Sequence, residues 1–95
     1  MYLMISKYLK PLDEVDGART EHTAYLAALE ERGLVVAAGR QEPPTGGVIL
    51  FDVDTEAEAR ELIAGDPYVT RGLAVYQATG WKPTRGALAD WKRPA

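Results

Sequence analysis

The sequence predicts an α+β domain: a ferredoxin-like β-α-β-β-α-β sandwich with a four-stranded antiparallel sheet. Three observations lead there. Short runs rich in branched and aromatic residues alternate with two stretches of helical periodicity. The middle two runs are joined only by turn chemistry, which makes them a hairpin. The chain has 95 residues, enough for one core and not two.

The elements follow in order. Tyr2 to Leu9 reads as the first strand and stops at Lys10-Pro11. Both of its parities carry apolar groups: Tyr2, Met4 and Tyr8 on one side, Leu3, Ile5 and Leu9 on the other. Such a strand expects cover on both faces. Pro11 to Gly17 is polar and reads as a connector, with Asp16-Gly17 as the helix entry. From Ala18 to Arg32, His22, Tyr25, Leu26 and Leu29 fall at i, i+3, i+4 and i+7, one stripe of a helix that Gly33 ends.

Leu34 to Ala38 is the second strand, and Val48 to Val53 the third. Between them Gln41 to Gly47 holds two prolines and two glycines. Thr55 with Glu58 forms a capping box for the second helix, whose stripe is Ala59, Leu62 and Ile63 and whose stop is Gly65. Asp66 then caps one further turn with Pro67 at its first position. Leu73 to Trp81 is the fourth strand, with Trp81 expected in the core or at a dimer contact. The polar tail beyond it, residues 83–95, holds Trp91, which reads as an anchor against the body or a partner subunit.

Two helices cover one face of such a sheet. The other face would leave apolar residues in water, and a second copy of the chain is the simplest cover. A domain this small buries only about 60–65% of its unfolded surface, so a partner also helps stability. The sequence contains no cysteine, so neither a disulfide framework nor a thiolate metal site is expected. Eleven basic against fourteen acidic residues give a net charge of −3, which argues against a nucleic-acid partner. The apolar start, Met1 to Ile5, is too short for a signal segment or a membrane span, so the expected location is the cytoplasm.

Few residues can carry chemistry. The single histidine, His22, serves either as a packed core group or as a base, the role open to an imidazole because the unperturbed ring changes charge near neutrality. Asp66 serves either as a helix cap alone or also as the acceptor that fixes the His22 tautomer. Arg19, one turn before His22, holds an anion or pairs with Glu58 or Glu61. Ser6 and Tyr8 on the first strand are candidates to line a pocket, and Arg40 is a candidate oxyanion partner. One histidine and no cysteine give no recognisable metal set, and Gly46-Gly47 is not a phosphate loop.

Taken in order, Arg19, His22, Leu26, Gly33, Ala38-Gly39, Gly47, Asp66-Pro67-Tyr68-Val69 and Gly72-Leu73 resemble the pattern of the YciI-like, or YCII-related, proteins. The resemblance runs from about Tyr2 to Pro83, so the domain is taken as residues 1–82. It implies a dimeric α/β barrel with a site built on His22 and Asp66, Tyr68 beside it, and no cofactor. The activity it implies is lyase or isomerase chemistry on a polar aromatic or enolic metabolite, on the pattern of a dehydrochlorination. A non-catalytic ligand-binding or accessory dimer is the alternative. Arg40 departs from the pattern, which often places proline or a small residue there.

Overall fold

A computed structural model of the chain describes residues 1–92; the last three positions of the expected tail, 93–95, lie outside them. The elements are β1 (Tyr2–Tyr8), α1 (Leu12–Asp16), α2 (Arg19–Glu31), β2 (Val35–Arg40), β3 (Gly47–Phe51), α3 (Glu56–Ala64), α4 (Pro67–Thr70) and β4 (Ala74–Gly80). The sheet is wholly antiparallel in the order β2-β3-β1-β4, so the first strand lies in the middle.

The period of two explains which side is buried. Met4, Ser6, Ile49, Phe51, Ala74 and Tyr76 point to the helices and are at most 9% exposed. Leu3, Ile5, Val48 and Val75 take the opposite parity, and Ile5 and Val75 stay 40% and 52% exposed. Helical residues Leu29, Ala59 and Ile63 close the core from above the sheet, with Val15 and Tyr68 beside them. Fully burying a side chain of this size stabilises by about 1.5–3 kcal/mol, so this one cluster supplies most of the driving force. Trp91 sends its indole N–H to the Asp52 carboxylate at 3.1 Å, which returns the tail to the end of β3.

Local chemistry sets the boundaries. Thr55 accepts the Glu58 N–H at 3.2 Å, one half of the capping box; its own hydroxyl then donates to the Glu58 carboxylate. Gly33 and Gly72 have φ of 74° and 69°, the left-handed conformation that glycine enters without a Cβ penalty. At Gly46 the need is space: a Cβ there would lie 1.8 Å from the Ser6 carbonyl oxygen. Glycine lets the β2–β3 link press onto β1, where Gln41 Nε2 donates to the same carbonyl at 2.9 Å.

Three sequence expectations change. The connector at 11–17 contains a helix, α1, because Leu12 and Val15 are one turn apart and Val15 is fully buried. Tertiary burial overrides a stretch with no side-chain cap. The second strand runs on to Arg40, since its ladder to β3 continues through Gly39↔Val48 and Arg40↔Gly47. Of the two places expected for Trp81 the core is excluded, since it is 42% exposed and Gly80 ends β4 before it, which leaves the dimer contact.

Candidate active site

Asp66 stands at the turn from α3 to α4 and is 0% exposed. Pro67 sets the helical φ of the first α4 residue, and the Asp66 carboxylate caps that turn by accepting the Tyr68 N–H at 3.1 Å. The same oxygen, Oδ1, lies 2.7 Å from Nδ1 of His22 on α2. The second oxygen accepts the Tyr76 hydroxyl of β4 at 3.1 Å. Capping and histidine contact are therefore one arrangement. A carboxylate only accepts, so the neutral imidazole carries its hydrogen on Nδ1 and keeps a lone pair on Nε2.

Tyr68 completes the support. Its ring stacks on the His22 imidazole with centroids 3.9 Å apart and planes 6° from parallel. Tyr8 meets the same tyrosine edge-on, centroids 6.0 Å apart. The His22 ring is thus gripped by a carboxylate at one edge and an aromatic face on one side, which leaves few orientations open to it.

Around these groups lies a cavity of about 230 Å³, walled by Tyr8, Arg19, His22, Arg40, Tyr68 and Tyr76, with Leu26 and Ile49 as apolar lining. An apolar cavity of about 150 Å³ accepts a benzene ring, so this one has room for a single substituted ring. Two guanidinium groups and an imidazole line it, and among the described residues no carboxylate does. Asp66 stands directly behind His22 and Asp16 pairs with Arg40, so among the cavity's cations Arg19 alone has no ion-pair partner among the described residues.

Burial pushes the Tyr68 and Tyr76 phenols up from their ordinary value. For Tyr76 burial is the larger cause and the Asp66 charge the second. For Tyr68 burial leads, followed by Tyr8, while Arg40 and Arg19 pull the other way. Arg40 is held above its usual range mainly by its hydrogen bond to Asp16, 2.5 Å away.

Of the residues singled out in the sequence, His22, Asp66, Arg19, Tyr8, Arg40 and Tyr68 come together here. Ser6 does not reach the cavity wall. It is 4% exposed, and its hydroxyl oxygen accepts the Gly47 N–H at 2.7 Å, tying β1 to β3. The expected Arg19 ion pair with Glu58 or Glu61 is also absent among the described residues; Arg71 takes Glu21 and Arg60 takes Glu56 instead. Sequence reasoning missed Tyr76 and Asp16. The inward parity of Ala74 and Tyr76 was a usable signal for the first. Nothing local marked the second, which lies 24 positions from Arg40. Among the described residues no three His, Cys, Asp or Glu side chains gather to hold a metal, and no helix is long and apolar enough to cross a membrane.

Comparison with known proteins bears on the fold and the family. A search of curated proteins finds no match. Among solved structures the fold is similar to 5-chloro-2-hydroxyhydroquinone dehydrochlorinase from Burkholderia phenoliruptrix AC1100, in complex with 2,5-dihydroxybenzoquinone. The TM-score is 0.71 at 20% identity, over 86% of this chain and 94% of that one. The profile of the YCII-related domain matches residues 1–82, from the first strand through the fourth. The chain belongs to the YCII-related domain family.

Proposed function

We propose that the chain is a small-molecule enzyme of lyase or isomerase type, acting by proton transfer on a polar aromatic or enolic compound. The observation that carries this reading is the 2.7 Å contact between His22 Nδ1 and the fully buried Asp66. Asp66 orients the imidazole and stabilises its charged form, and Nε2 takes the proton. Arg19 and Arg40 hold the oxygen on which negative charge gathers. Arg19 is free to do so, having no ion-pair partner among the described residues. A dehydrochlorination fits this machinery: the base removes a proton, chloride leaves with its electron pair, and no cofactor is called for. The relative of the same fold is named for that reaction.

A second copy of the chain covers the open sheet face in this proposal. Ile5 and Val75 are exposed there on neighbouring strands, where a dimer contact would bury them.

The test is a panel of hydroxylated and chlorinated quinols, following chloride release and exchange of ring protons for deuterium. Native protein promotes one of the two, and His22→Gln lowers the rate by about 10²–10⁴-fold. A His22→Gln protein with the native rate removes the dyad from the mechanism. Tight binding of these compounds with neither chloride release nor exchange favours a ligand-binding module instead.

A further inference from the structure

One group at the cavity has a hydrogen that the His22–Asp66 pair does not use. Arg40 donates its Nε–H to the Tyr8 hydroxyl at 3.1 Å and its Nη2 to Asp16 at 2.5 Å. Its guanidinium carbon lies 5.7 Å from the Tyr8 ring centroid, so the cation also sits beside the aromatic ring. A guanidinium has donors only, so in this contact the Tyr8 oxygen must accept. Its own O–H is then left for another acceptor. The hydroxyl has no second partner among the described residues.

Tyr8 lines the same cavity as His22 and Arg19, and the Tyr68 ring lies against both Tyr8 and His22. A phenol that accepts from a cation is polarised toward stronger donation. Arg40 cannot swing away freely, because α1 supplies Asp16 as a second anchor. That helix is the element expected as a connector, and holding Arg40 gives it a place in the site.

Resting on the reading of this cavity as an active site, we propose that Tyr8 is a catalytic hydrogen-bond donor to a substrate oxyanion. Arg40 polarises it, and Asp16 is the positioning residue. The substrate class is then a single-ring compound held as its phenolate or enolate, with the oxyanion at Tyr8 and the reacting carbon or hydroxyl toward His22. The donor is built before the charge forms, which is the arrangement that stabilises a developing oxyanion.

The probe is 4-nitrophenol, whose neutral and ionised forms absorb at different wavelengths, with nitrobenzene as the uncharged comparison. Native protein binds the phenolate and raises the ionised fraction of the bound probe above that in free solution. Tyr8→Phe weakens phenolate binding by about ten- to a hundredfold, the range of one hydrogen bond to a charged group. It leaves nitrobenzene binding as it was, whereas a merely structural role would shift both. Asp16→Asn gives a smaller loss of the ionised fraction. The assignment is overturned if Tyr8→Phe binds phenolate as native does, or if it weakens both probes alike. Native protein that does not bind the phenolate overturns it too. No turnover is involved, so each of these results leaves the proton-transfer role of His22 to its own test.

Discussion

Asp66 separates structure from chemistry when replaced in two ways. Its carboxylate receives three donors, from His22, Tyr68 and Tyr76. In Asp66→Ala the Tyr68 N–H and the Tyr76 O–H lose their acceptor, within residues only 3% and 9% exposed. Each buried donor left unpaired costs about 1–3 kcal/mol, hence about 2–6 kcal/mol for the two. The His22 side chain is 14% exposed, and water replaces part of what it loses. The helix-cap bond is the Tyr68 bond itself and adds nothing more.

Asp66→Asn behaves differently. The amide oxygen still serves His22 and Tyr68, and the amide NH₂ donates to the Tyr76 oxygen, which accepts as readily as it donates. Bonds lose charge assistance at roughly 1 kcal/mol each, offset by no longer burying a charge, for a net cost of about 0–2 kcal/mol. A domain of this size has about 5–14 kcal/mol in total, so only the alanine change threatens the fold. Urea unfolding followed by the fluorescence of Trp81 and Trp91 measures both costs. Nitrogen-15 NMR of the single histidine reads the tautomer: hydrogen on Nδ1 in the native protein, shifting toward Nε2 in Asp66→Ala. Equal costs for the two variants, or an unchanged tautomer in Asp66→Ala, would refute this account of the buried carboxylate.

Other expectations follow from the same structure. A Cβ at Gly65 would stand 2.5 Å from the Tyr25 hydroxyl, which itself donates to the Leu62 carbonyl at 2.6 Å. Gly65→Ala should therefore cost about 1–3 kcal/mol in urea unfolding, and less in a Tyr25→Phe background, where the nearest atom is gone and only ring carbons at 3.0 and 3.1 Å remain. The Tyr25, Tyr68 and Tyr76 phenols are all raised from 10.0, chiefly by burial. Their contribution is whole below about pH 10 and is lost as pH rises through the folded values, because the unfolded chain releases those protons first. The urea midpoint should drop above about pH 10, and Tyr76→Phe should flatten the drop; a midpoint independent of pH there contradicts the burial. Val75→Arg places a charge on the open sheet face, where Val75 is 52% exposed. Sedimentation should show a native dimer and a monomeric variant, and a native monomer at micromolar concentration removes the second copy from that face.

The pattern of residues alone determined the order of strands and the two main helices, because hydrophobic period and turn chemistry are local. The stripe of His22, Tyr25, Leu26 and Leu29 was legible as helix α2, and Asp66-Pro67 as the start of α4. Asp66 was legible as a cap, since an acceptor at a helix start is read from neighbours in sequence, while its partnership with His22 was one of two alternatives and rested on the family resemblance. Whether one carboxylate does both jobs was not legible. That depends on how α2 and the α3–α4 turn pack on the sheet, which joins groups 44 positions apart. Tertiary structure also decided that Ser6 closes a strand contact while Arg40 reaches the cavity. Strand parity turned on two further ladder pairs beyond Ala38, and no local propensity specified those. Asp16 and Tyr76 joined the site for the same reason: their partners come from distant elements, and only burial and packing brought those elements together.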